Sequence, residues 1–177
     1  MTKLLVVVGS ARKGRVADKV LDYIKQDVAA RSDVELTVAD LAALNLPFFD
    51  NEMIPMQPEY TPNNDAGKQW QSLVAEANRV LLISPEYNHS YAPILKNALD
   101  YLAAEWENKP VGIVAYGWSG GSLALEALKP VLTNIKVDAR PTVSSLAFMQ
   151  QLQPTGEAID QDAVAGQIKA TVDELLA

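Results

Sequence analysis

VLLISPEYNHSYAPILKNALDYL, Val80 to Leu102, is the stretch on which the fold turns. Its opening VLLI is an unbroken apolar run, the pattern of a strand covered on both faces. A polar, aromatic segment, SPEYNHSYAP, follows and runs directly into residues spaced as a helix. Ligands of open α/β sheets bind at the carboxyl ends of strands, and this segment brings backbone amides, hydroxyls, an amide side chain and a flat tyrosine ring to that place. Those groups suit a planar heteroaromatic ligand. Ser90 is positioned to cap the helix. Pro93 falls in its first turn, where a missing N–H costs nothing because those donors have no intrahelical partner.

Outward from this stretch the same alternation repeats. Strand patterns lie near residues 4–9, 34–39, 80–84, 111–116 and 142–146, and helical patterns near 15–30, 65–77, 91–104, 120–133 and 161–176. Alternating strands and helices give a parallel sheet built from βαβ units. LLVVV, VLLI and VGIVAY are nearly continuous apolar runs and take interior places, whereas VELTVAD alternates as an edge strand does. The last strand opens on Pro141, which an edge tolerates better than the middle of a sheet. The order 2-1-3-4-5 satisfies both edges, with helices on both faces. The expectation is one α/β domain over residues 1–177, a three-layer sandwich around a five-stranded parallel sheet.

In that order the chain reverses direction between strands one and three, so the loops GSARKGR and SPEYNHSY face each other across one crevice. The first carries Arg12, Lys13 and Arg15 beside glycine, serine and a helix start, a combination that suits an anion. A third loop, YGWSGGS, completes the rim, and its Gly117, Gly120 and Gly121 let backbone approach a ligand closely. The long connection LPFFDNEMIPMQPEYTPN, Leu46 to Asn63, carries Phe48, Phe49, Met53, Ile54, Met56 and Tyr60. It either packs on a neighbouring subunit or over the site, or covers the sheet end.

Composition narrows the chemistry. A chain of 177 residues is long enough to bury roughly two thirds of the surface its unfolded form exposes. It has no cysteine, which excludes disulfides, thiolate metal sites and cysteine nucleophiles, and a reducing, cytoplasmic home is expected. The first strand begins close to Met1 with no basic-then-apolar leader, and no apolar run approaches the roughly 20 residues of a membrane span. A net charge of −7 opposes nucleic-acid binding, and a single histidine, His89, rules out a histidine-rich metal site. His89 reads as a surface or capping residue. Met53, Met56 and the phenylalanines read as packing.

GSARKGR, PEYNHSYAPILKNALDY and YGWSGG together resemble the NAD(P)H-dependent FMN reductase family over about residues 4–134. Its members are flavodoxin-like flavoproteins that include quinone, azo-dye and chromate reductases. The resemblance implies that Ser10, Arg12, Arg15 and Val16 hold the FMN phosphate, Val16 through its amide at a helix start. It implies that Pro85, Glu86, Tyr87 and Asn88 line the isoalloxazine, with Ser119, Gly120 and Gly121 on the pyrimidine side and Tyr116, Gly117 and Trp118 on the same rim. It also implies that Asp100 and Lys109 join subunits through salt bridges in a homodimer or dimer of dimers, with Tyr101, Leu102 and Trp106 adding apolar contact. Where relatives carry an arginine after the double glycine, this chain has Ser122 and Leu123.

The implied activity is an FMN-dependent NAD(P)H:acceptor oxidoreductase that reduces quinones or similar planar acceptors by ping-pong exchange. Azo compounds, chromate and free flavin are further acceptors in that reading. No side chain is catalytic in it, because hydride passes through flavin N5, and no metal is needed. A flavodoxin-type electron carrier without its own small-molecule substrate is the alternative. A phosphoacceptor signalling domain is opposed by Ser84 and Pro85, which stand where its aspartate would be. Asp40, at the end of strand two, does not discriminate NADH from NADPH, because a ribose-gripping acid belongs to a different cofactor pose.

Overall fold

The computed structural model describes residues 1–177. Five parallel strands, β1 (Thr2–Val8), β2 (Val34–Asp40), β3 (Arg79–Tyr87), β5 (Pro110–Gly117) and β6 (Asp138–Ala147), lie in the order β2-β1-β3-β5-β6. This is the expected order with both expected edges. A sixth, two-residue strand, β4 (Ser90–Tyr91), pairs antiparallel with the end of β3 and corrects the count of five. The β1 register sets Val8 beside Asp40 on one side and Ile83 on the other.

The strands sort their side chains by a period of two. From β1, Leu4, Val6 and Val8 join α1 (Ala17–Ala29) and α6 (Gln161–Leu176) in one buried layer, while Leu5 and Val7 face α3 (Asp65–Glu76), α4 (Pro93–Asp100) and α5 (Ser122–Asn134) in the other. From Val34 to Val38 the edge strand β2 alternates more and less covered positions as its sequence does. No helix is long and apolar enough to cross a membrane.

Four local expectations are corrected. A short helix, α2 (Leu41–Leu44), follows β2 and is capped by Asp40, whose carboxylate accepts from the Ala42 amide at 3.0 Å. Ser90 pairs in the hairpin instead of capping; the residue before α4 is Ala92, while Pro93 does sit in the first turn. α4 stops at Asp100, short of residue 104, because other side chains claim its last carbonyls: Trp70 Nε1 donates to Ala98 O at 2.8 Å and the Tyr60 hydroxyl donates to Tyr101 O at 2.7 Å. β6 begins at Asp138, so Pro141 lies inside it; there the β5 register jumps between Val111 and Ile113, the irregularity that lets an edge strand carry a proline.

The connection after Leu46 is strapped to α4 of its own chain. Asn97 accepts from the Phe49 amide at 3.0 Å and donates to Pro47 O at 2.8 Å, and the Phe49 ring meets Tyr101 edge-on at 5.5 Å. Phe48, Ile54 and Met56 stay exposed. Tyr101, Leu102 and Trp106 are core residues, not contact area, since this strap and α3 cover them. Asp100 pairs with Lys96 one turn away, and Lys109 Nζ donates to Ala77 O at 2.6 Å at the end of α3, so both carry intrachain partners.

Burial pushes the Tyr60 and Tyr116 phenols up to about 12. A raised folded pKa keeps its full contribution to stability below the unfolded value of 10.0 and loses it as pH rises through the folded value. Urea midpoints should therefore hold to about pH 10 and fall between there and about 12. Tyr60→Phe should flatten part of that fall; an unchanged profile would show that Tyr60 does not contribute to it.

Candidate cofactor site at the carboxyl end of the sheet

The ends of β1, β3 and β5 and the segment after β6 enclose a crevice of about 210 Å³. Its first wall is the loop from Gly9 to Val16. The Gly9 amide donates to Ile83 O at 3.0 Å, and a Cβ at Gly9 would stand 2.6 Å from that oxygen, so β1 and β3 approach closely only with glycine here. None of the backbone N–H groups from Ser10 to Val16 donates to an acceptor of the protein. Ser10 is buried and its hydroxyl meets the Tyr87 hydroxyl at 3.0 Å, joining the first and second loops. Arg12 is exposed and has no carboxylate partner.

Arg15 departs from the expectation. Its guanidinium grips Asp40 with both terminal nitrogens, one at 2.8 Å, while Nε donates to Asp18 at 2.8 Å and Nη1 to Ser10 O at 2.6 Å. The fork offered in sequence to a phosphate is thus engaged inside the chain. The cause is the parallel register that sets Asp40 beside Val8. Arg15 in turn holds the Asp40 carboxyl below the usual carboxylate range.

The second wall is a hairpin, not a loop. Glu86 pairs with Tyr91 and Tyr87 with Ser90, and the connecting Asn88 and His89 have φ of 47° and 63°. Positive φ at both central residues marks a two-residue turn whose twist matches the strands; asparagine at its first position accepts it readily. Pro85, Glu86 and Tyr87 line the crevice, whereas Asn88 and His89 form the exposed tip beyond it. The Glu86 carboxylate reaches the third wall, accepting from Ser119 Oγ at 2.6 Å and from the Leu123 amide at 3.1 Å in the first turn of α5.

Tyr116, Gly117 and Trp118 form that third wall. Ser119, Gly120 and Gly121 stand behind it. Gly120 and Gly121 have φ of 69° and 80°, and Cβ atoms there would meet Ser145 Oγ at 2.3 Å and Ala115 Cβ at 2.6 Å, so their missing side chains face strands β6 and β5. The amides of Trp118, Ser119 and Gly121 have no acceptor in the chain. The fourth wall, Phe148 and Pro154, was missed in sequence. No motif marks it; Phe148 is recognisable only as an aromatic residue just beyond the last apolar strand. Its ring stands edge-on to Trp118 at 5.6 Å and tilted to Tyr116 at 6.2 Å.

A larger cavity of about 410 Å³ lies under the 46–64 connection, between residues 103–107 before β5 and residues 134–136 after α5. It touches none of the loops that follow the central strands, where ligands of open α/β sheets bind, whereas the smaller crevice is built from them.

The donor set fits FMN. Unclaimed amides, a helix start and the free Arg12 guanidinium suit a phosphate, and flat aromatic walls with further free amides suit a planar, carbonyl-bearing ring. The sequence pattern of NADPH-dependent FMN reductases matches residues 2–151. The chain belongs to the NADPH-dependent FMN reductase family. The reductase is 33% identical to an NAD(P)H-dependent FMN reductase, ntnL, of Nectria sp, over 84% of this chain and 76% of that one. It is 31% identical to the NAD(P)H-dependent FMN reductase LOT6 of Saccharomyces cerevisiae, over 77% and 76%. An NADPH azoreductase of Bacillus sp. is 34% identical over 78% and 73%. In fold it resembles the flavoenzyme NAD(P)H:(acceptor) oxidoreductase FerB of Paracoccus denitrificans, with a TM-score of 0.75 at 22% identity across 99% of this chain and 98% of that one. The protein is accordingly an oxidoreductase with FMN as cofactor and NAD(P)H as co-substrate, acting on an acceptor instead of serving as a plain flavodoxin-type carrier.

Proposed function

We propose that this reductase delivers electrons from NAD(P)H to planar two-electron acceptors, quinones first and azo compounds beside them, in ping-pong order at one crevice. The observation that carries the reading is the make-up of that crevice: unclaimed amides and Arg12 on its first wall, Tyr87, Tyr116, Trp118 and Phe148 on the others. Bound FMN supplies the redox chemistry, accepting two electrons from the nicotinamide and passing them to the acceptor. The chain supplies placement. Amides of Ser10 to Val16 and the Arg12 guanidinium hold the phosphate, the β3–β4 hairpin and Tyr116 to Trp118 border the ring, and the free amides of Trp118, Ser119 and Gly121 favour negative charge on its pyrimidine side. The aromatic rim selects flat partners, and the same rim serves donor and acceptor in turn, which is why exchange is ping-pong.

The fold forms a single cytoplasmic domain in this reading, and copies of it pair as a homodimer or a dimer of dimers, a use for the exposed Phe48, Ile54 and Met56 of the 46–63 connection. The deciding experiment reconstitutes the protein with FMN, removes free flavin by gel filtration, and adds NADPH and NADH in separate anaerobic cuvettes. Retained flavin should bleach with at least one donor and recover its colour on one equivalent of quinone. A protein that keeps no flavin, or flavin that neither donor bleaches, would overturn the proposal.

A further inference from the structure

In the loop that binds the phosphate in the reading above, no backbone N–H from Ser10 to Val16 donates within the chain, and only the Arg15 and Val16 carbonyls accept, from the start of α1, so the shape of the Ser10–Gly14 turn is held by side chains. Two contacts do this: Ser10 to Tyr87, and the four bonds made by Arg15. Arg15 closes the loop on itself through Ser10 O, ties it forward to Asp18 in the first turn of α1, and anchors it sideways to Asp40 at the end of β2. Its side chain is only 12% exposed, and Asp40 is itself fixed as the cap of α2. Two carboxylates around one guanidinium leave no net positive charge there. The attraction for a phosphate rests on Arg12, Lys13 and the free amides instead.

We infer that Arg15 is a positioning residue that shapes the phosphate loop through Asp40 without binding the phosphate, so that Asp40, a residue of the second strand, sets the affinity for FMN. The inference rests on the reading of this loop as the phosphate site. It reverses the simple electrostatic expectation. Removing a carboxylate near a phosphate relieves repulsion and frees an arginine, and would tighten binding if Arg15 were a ligand held back by its partner. If Arg15 instead works as a clamp, losing Asp40 loosens the loop and weakens binding.

The test is quenching of flavin fluorescence by the full chain, with FMN and riboflavin as probes, for the native protein and for Arg12→Gln, Asp40→Asn and Arg15→Lys. Asp40→Asn should weaken FMN about tenfold and leave riboflavin little changed, since a charge-assisted bond is worth roughly that factor. Arg15→Lys, which keeps the charge but loses the two-pronged grip, should weaken FMN similarly, and Arg15→Lys/Asp40→Asn should be no weaker than either alone. Thermal melts separate loop loosening from loss of fold; should Asp40→Asn fail to fold, Arg15→Lys carries the test, because a phosphate ligand acting by charge survives that change. Tighter or unchanged FMN binding by Asp40→Asn, or full affinity in Arg15→Lys, would overturn the clamp while Arg12→Gln still loses FMN selectively. If Arg12→Gln binds FMN and riboflavin as the native protein does, the phosphate-site reading itself falls, and the clamp with it.

Discussion

Gly121→Ala is expected to lower stability by about 2–5 kcal/mol, the sum of a left-handed conformation imposed on an L-residue, about 1–2 kcal/mol, and overpacking, about 1–3 kcal/mol. Its φ is 80°, and the added Cβ would stand 2.6 Å from Ala115 Cβ and 2.9 Å from the Tyr116 amide, atoms of the buried strand β5. Neither neighbour is the free end of a flexible side chain, so the strain passes to the turn that starts α5 and frames the third wall. Gly14→Ala is the control. Its φ of 63° is of the same kind, but no atom lies within 4 Å of the added Cβ, so it should cost only about 1 kcal/mol. Urea denaturation of the two variants reads the difference, and equal losses would refute the role given to β5 packing.

Glu86→Ala should cost about 1.5–3 kcal/mol of stability and weaken flavin binding about tenfold, for riboflavin as much as for FMN. Its carboxylate makes the hydrogen bonds between the hairpin and the start of α5, accepting at 2.6 Å from Ser119 and 3.1 Å from the Leu123 amide. Cutting it loosens the hairpin against the third wall while the Arg15 bonds that hold the Gly9–Val16 loop stay in place, which is why both flavins should suffer alike. Glu86→Gln keeps an acceptor in place and loses only the favourable charge at a helix start, about 0.3–1 kcal/mol. Loss of FMN affinity with riboflavin spared would locate Glu86 at the wrong end of the crevice.

The strand order was legible because buried parallel strands read as unbroken apolar runs and the edge strand β2 alternates; those are consequences of burial that composition alone records. That the Gly9–Val16 loop, the Tyr87 segment and the Tyr116 rim share one crevice was legible because their positions follow from that order. What escaped depended on register or on residues with no distinctive spacing. Arg15 was assigned by its chemistry to a phosphate, yet its partner was fixed by which β2 residue lies beside Val8. The Asn88–His89 turn was hidden because histidine at its second position gives no turn signal, although asparagine at its first does. Phe148 and Pro154 enter the crevice from a segment whose path depends on where β6 ends, and Gly120 and Gly121, read as making room for a ligand, make room for Ser145 and Ala115.

The strap from Leu46 to Asn64 has a kinetic meaning. Anchored along α4 by Asn97 and Tyr101, it has no residue at the mouth of the crevice, so no part of that segment has to swing aside between one visitor and the next. On the function proposed above, choice among partners then falls to how well a flat face fits against Trp118 and Phe148, side chains that do not belong to the strap.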